Sequence, residues 1–303
     1  MKSILSVTVI LLLSFYSLAQ QYPDTSFTYP IRQAAYLPGT GPVIYVDEAH
    51  HNMHTLNAGF FAFGKLLERD GYRVQTLTST IDNEDVLKEC RILVIANALH
   101  TSNVGNWVVP NPSAFSKEEI QAIKLWVKSG GALLLIADHM PFAGAAYKLG
   151  KAFGFEYING FAFFDERSWP PMMFTAGNKT LPFSPISAGI KDYEVVDSVA
   201  TFTGSAFYAP DFATPVLSFL DGVTFQPDTA WAFHKLTPWE NLEPYHQGAI
   251  RKYGNGKVAV FGEAAMFTAQ IVNDTIPVGF NSEYAPRNAQ FTLNLIHWLD
   301  GVE

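Results

Sequence analysis

From Gly41 to Gly154 short apolar runs alternate with segments of helical periodicity, a pattern that few chain architectures accommodate. Val43–Val46, Tyr72–Leu77, Ile92–Ala96 and Ala132–Ala137 read as strands. Between the first two, Leu56, Phe60, Phe63, Leu66 and Leu67 recur at helical spacing and stop at Asp70-Gly71. Ser116-Lys117-Glu118-Glu119 is a capping box, opening a helix with Ile120, Ile123, Trp126 and Val127 on one face and Gly130-Gly131 at its end. Strand–helix–strand alternation predicts an α/β fold with a parallel sheet and crossover helices.

The pattern weakens from about 155 to 247 into Pro, Gly, Thr and aromatic residues, which predicts an irregular or β-rich insertion. Order returns at Ala249–Tyr253 and Lys257–Phe261, flanking the turn Gly254-Asn255-Gly256, a hairpin signal. Asn288–Leu299 reads as a final amphipathic helix.

The first 19 residues combine Lys2, an apolar run from Ile4 to Leu18 and a small residue at Ala19, the pattern of a secretory signal peptide. Export to a periplasmic or extracellular compartment is therefore expected, with 20–303 as a single domain. No later run approaches the ~20 apolar residues of a spanning helix. With 28 acidic against 20 basic residues the chain lacks the positive footprint of a nucleic-acid binder. Its lone Cys90 precedes a strand, excludes an intrachain disulfide and is expected to be buried and inert.

Two strings resemble nucleotide motifs. Asp47-Glu48-Ala49-His50 spells a helicase acidic box, and Gly59–Leu66 matches a phosphate loop except at its last position. That position must be Ser or Thr to hold magnesium, but here it is Leu66, and Phe60, Phe61 and Phe63 occupy what should be an open nest of N–H groups. Nucleotide hydrolysis is excluded on these grounds.

Ligands of open parallel sheets sit beyond the carboxyl ends of the strands. There the sequence collects Asp47, Glu48, His50, His51 and His54 after the first strand, Asn97 and His100 after the third, Asp138 and His139 after the fourth, and Glu263 after the late strand. Five of the eight His residues fall at these ends. Imidazoles with carboxylates suit zinc, iron, nickel or manganese. If His50 begins a helix, His50 and His54 lie one turn apart, and His51 with His54 is an equivalent alternative. Structural readings stand beside these: Asp47 as a helix cap, Asp138–His139 as a hydrogen-bonded pair, His54 as a core residue and His297 as a partner of the helix dipole.

The stretches "DEAHHNMHT", "GYRVQTL", "RILVIANAL", "SGGALLLIADHMPFAGAAYKLGKAFGF", "SPISAGI", "GKVAVFGEAAMFTAQ" and "NAQFTLNLIHWLDG" resemble bacterial proteins related to the DUF4350 group, within the class I glutamine amidotransferase-like superfamily. The resemblance spans most of the mature chain and implies a flavodoxin-like three-layer sandwich with a mainly parallel sheet. It does not imply glutaminase activity: the strand-to-helix elbows read Asn97-Ala98-Leu99-His100 and Asp138-His139-Met140-Pro141, without the nucleophilic Cys of that family.

Two functions follow as expectations. One is an exported metal-dependent hydrolase of a small or carbohydrate-derived substrate, its ion held by some of Asp47, His50, His51, His54 and His139, with Asp138 or Glu263 as general base toward a metal-bound water. The other is a noncatalytic module that binds a glycan or a partner protein through Trp169, Phe174, Tyr208, Trp231 and Trp239.

Overall fold

The computed structural model describes residues 21–165 and 171–302. The expected signal peptide, 1–19, and Trp169 lie outside the described residues. A nine-stranded sheet dominates: β1 (Val43–Asp47), β2 (Arg73–Leu77), β3 (Cys90–Ala96), β4 (Ala132–Ile136), β5 (Glu156–Tyr157), β6 (Phe207–Tyr208), β7 (Thr214–Ser218), β8 (His246–Tyr253) and β9 (Gly256–Phe261). Across it the order is β2-β1-β3-β4-β9-β8-β6-β5, with β7 also beside β8.

The sheet is mixed. Neighbours from β2 to β9 run parallel, whereas β8, β7, β6 and β5 add antiparallel pairings. The parallel half comes from the strand–helix alternation of 41–154, because parallel neighbours need a crossover between them. The antiparallel half begins at the β8–β9 hairpin, whose turn at Gly254-Asn255 is where the sequence places it. Strands expected within an insertion at 155–247 partly extend this sheet, and others build a three-stranded sheet from Phe161–Phe163, Val223–Phe225 and Trp239–Asn241.

Helices cover both faces. On one, α1 (Phe61–Arg69) and α4 (Asn288–Asp300) bury Phe63, Leu67, Phe291 and Leu295 against Ile44, Val94 and Leu134. On the other, α2 (Lys117–Ser129) and α3 (Phe142–Ala152) bury Ile123, Val127 and Leu149 against Leu93, Leu133 and Val260. Alternate residues of β3 and β4 thus face opposite cores, which is why these strands are apolar throughout rather than alternating. At about 1.5–3 kcal/mol per fully buried aliphatic side chain, this double coverage makes the centre of the sheet a rigid base for the loops at its ends.

Two predicted elements change. The first helix starts at Phe61 rather than near Leu56, so Gly64 and Lys65 of the phosphate-loop look-alike lie inside a regular helix. Residues 48–54 form no helix either, because His51 adopts a left-handed φ of 49° and Asn52 Oδ1 accepts from the His50 N–H at 3.0 Å. The expected one-turn spacing of His50 and His54 is therefore absent. Cys90 is buried as expected, and burial pushes its thiol up to about 12. Among the described residues no helix is long and apolar enough to cross a membrane.

Candidate ligand site at the strand ends

Beyond β1, the predicted metal ligands bind one another. His50 Nδ1 meets both Asp47 oxygens at 2.9 Å, and its Nε2 meets Glu119 Oε1 at 2.9 Å. All three side chains are buried. Burial alone disfavours the imidazolium, but bonds and charge from Asp47 and then Glu119 outweigh it and raise the His50 pKa. Glu119 also serves the α2 cap: its Oε2 accepts from the Ser116 N–H, and its Oε1 accepts from the Ile81 N–H. The sequence marks Glu119 only as a capping residue. Its second role, clamping the loop after β1, arises because α2 packs its first turn beside that loop. Asn52, also unmarked, donates to Asp47 Oδ2 at 3.0 Å and to the Ala96 carbonyl.

His51 points to solvent and joins none of these groups. His54 is buried, stacked on Phe60 at 5.3 Å and 13°, and its Nδ1 has no hydrogen-bond partner. That atom faces Gly59, where a Cβ would overlap the ring. Burial lowers the His54 pKa to about 4 against the opposing charge of Asp138, so the ring is neutral at pH 7.

Asn97 follows β3 with φ 49°, a conformation that Asn tolerates better than most residues. It ties two loops together. Its carbonyl accepts from the Met53 N–H at 3.1 Å, and its Oδ1 accepts from the Asp138 N–H at 2.9 Å. At the next strand end, Asp138 Oδ1 accepts from the His139 N–H at 2.7 Å.

Glu263, expected as a general base, is fully buried, and its two oxygens accept from the Ala265 and Met266 N–H groups at 2.8 and 2.7 Å. Burial, reinforced by the charge of Asp138, pushes its pKa well above the carboxylate range. Those bonds make Glu263 an organiser of the turn after β9. His139 has its Nδ1 on the Met140 carbonyl at 2.6 Å, and burial lowers its pKa. Both His50 nitrogens and one His139 nitrogen are engaged, and among the described residues no group of three or more His, Cys, Asp or Glu side chains is arranged to hold an ion.

An aromatic cluster roofs this rim. His139 stacks on Phe161 at 4.3 Å and 11°, and Trp231 meets both edge-on at 4.9 and 4.7 Å. Phe161 belongs to the three-stranded sheet, where it lies opposite Phe225, which lies opposite Trp239. Cross-strand partners share a face, so these three rings line one side, and Phe233 packs on Phe161 and Phe225 at 5.1 and 5.9 Å. Trp231 is 47% and Trp239 59% exposed. Trp231 also holds φ 66°, strained for a bulky side chain and found where the surrounding structure imposes it.

Of the other aromatic residues expected at a binding surface, Phe174 is fully buried in the core, and Tyr208 sits on β6 of the main sheet. Phe161, Phe225 and Phe233 were not singled out in the sequence; for the first two, the period-two spacing of apolar residues around Ala162 and Thr224 was the available signal.

No protein-family model and no curated protein matches the sequence. Solved structures with similar folds include the N-terminal domain of mmIFT52, at 16% identity and a TM-score of 0.58, covering 85% of this chain and 96% of that one. A ThuA-like protein from Bacteroides uniformis has 14% identity and a TM-score of 0.45, with 90% and 94% covered. A glutamine amidotransferase from Thermotoga maritima has 13% identity and a TM-score of 0.41, with 75% and 77% covered. The likeness to mmIFT52 is one of fold alone.

Proposed function

We propose that the chain is an exported, noncatalytic glycan-binding module on a flavodoxin-like scaffold of the amidotransferase-like superfamily. The observation that carries this reading is the half-exposed aromatic face of Phe225, Trp231, Phe233 and Trp239 seated over the strand-end rim. Indole faces offer large, rigid contact area at low entropic cost, as sugar and partner surfaces require. The ionisable groups of the rim are engaged in holding loops: Asp47, His50 and Glu119 with one another, and Glu263 with backbone N–H groups. The test is a glycan array probed with the mature chain before and after chelation. Binding that persists without metal is expected, and an array silent at millimolar ligand would refute the reading.

Metal-dependent hydrolysis is the second reading. One observation favours it: the buried His54 Nδ1 has no hydrogen-bond partner, in a ring close enough to Asp138 to feel its charge. Buried titratable groups of this kind concentrate at functional sites. Elemental analysis of untagged protein dialysed against metal-free buffer decides between the two. Near-stoichiometric zinc, iron, nickel or manganese that is lost in the His50→Ala/His54→Ala double variant would move the assignment to a hydrolase.

A further inference from the structure

Resting on the glycan-binding reading, we infer that the ligand is an extended, neutral polysaccharide chain laid along the exposed Trp239–Asn241 edge of the three-stranded sheet, with Trp239 as stacking platform and Asn241 as its hydrogen-bonding partner. Trp239 and Asn241 are two residues apart on one strand, so both side chains leave the same face about 6.6 Å apart. Both are exposed. A flat indole beside a free amide is what a pyranose ring needs: an apolar platform for its C–H face and a donor and acceptor for its equatorial hydroxyls.

Further rings adjoin Trp239. From Trp231 to Phe233 the ring centroids step 6.5 Å, and from Phe233 to Phe225 5.9 Å. Trp239 is the cross-strand partner of Phe225. Aromatic surface spread over several rings offers more than one place for a sugar to stack. Charge selects among chains. The segment that carries the edge holds Asp221, Asp228 and Glu243 against Lys235, so a uronate or sulfated polymer would be repelled. Trp231 anchors the inner end, since its packing on His139 and Phe161 holds the indole in one orientation despite its left-handed backbone.

The experiment is affinity gel electrophoresis in soluble mixed-linkage β-glucan, galactomannan, xylan or polygalacturonate, comparing the wild type with Trp239→Ala, Asn241→Ala and Tyr208→Ala. Circular dichroism and melting confirm that each variant folds, and the exposure of Trp239 and Asn241 keeps the cost of substitution small. At least one neutral polymer is expected to retard the wild type. Trp239→Ala should then weaken retardation at least about tenfold and Asn241→Ala about threefold or more, with Tyr208→Ala unchanged. Retardation by polygalacturonate alone, or neutral-chain retardation indifferent to Trp239→Ala and Asn241→Ala, overturns this inference while the glycan-binding reading stands. Binding on the array of free monosaccharides as tight as that of the polymers overturns the extended chain. No retardation by any polymer, together with a silent array, removes both.

Discussion

Acid should destabilise this fold through His54. The ring is buried, stacked on Phe60, and its pKa lies at about 4 because burial penalises the imidazolium. In the unfolded chain the same ring titrates near 6.5. Between these values the unfolded state binds the extra proton, so stability rises with pH across the window and is lost as pH falls through it. A displacement of about 2.5 units at 1.36 kcal/mol each gives about 3 kcal/mol lost between pH 7 and pH 4. Carboxylates titrate in the same range, so the measurement is a difference. Urea unfolding of the wild type and His54→Asn, repeated at half-unit steps of pH, yields two stability curves by linear extrapolation. The variant starts lower, having lost the stacked ring, but the gap should close by about 3 kcal/mol on going to pH 4. Parallel curves would refute the assignment of His54 as a buried neutral imidazole.

Three further outcomes follow from the same rim. Gly59→Ala places a methyl group against His54 Nδ1 and should cost about 2 kcal/mol or more by chemical denaturation; a neutral effect would mean that His54 can move aside freely. Glu119→Gln keeps the capping-box acceptor but removes a charge from His50, so the His50 pKa, followed by NMR, should fall. Because that pKa is raised in the folded state, the stabilisation from the Glu119–His50 pair is complete below about pH 6.5 and lost as pH rises through the folded value; the stability gap between wild type and Glu119→Gln should shrink at alkaline pH, and a gap independent of pH would refute the pairing. Asn97→Val forces a β-branched residue to φ 49° and removes the bond to the Asp138 N–H. It should be less stable than Asn97→Gly by about 1–3 kcal/mol in the same assay, and equal stabilities would show that the backbone there relaxes.

The sequence by itself determined the parallel half of the sheet, because Val43–Val46, Ile92–Ala96 and Ala132–Ala137 are apolar on both faces and separated by helical periodicity, a local pattern with one economical packing. It determined the α2 cap and the β8–β9 turn, since both rest on contacts within a few residues. It also located the polar rim, because strand ends in such a sheet share one edge. What those polar groups do was left to the tertiary structure. Glu119 reaches His50 across 69 positions of sequence, and Asn97 reaches Asp138 across 41. Linear spacing carries no information about such distances, so His50 read as a free metal ligand when both of its nitrogens are taken. Likewise, Trp231, Phe233 and Trp239 sit in a segment without clear periodicity. Only the register between distant strands puts Phe161, Phe225 and Trp239 on one side of their sheet, buried at Phe161 and exposed at Trp239, and only packing brings Trp231 and Phe233 against Phe161. Local chemistry wrote the scaffold, and long-range pairing decided which of its side chains remain free to meet a ligand.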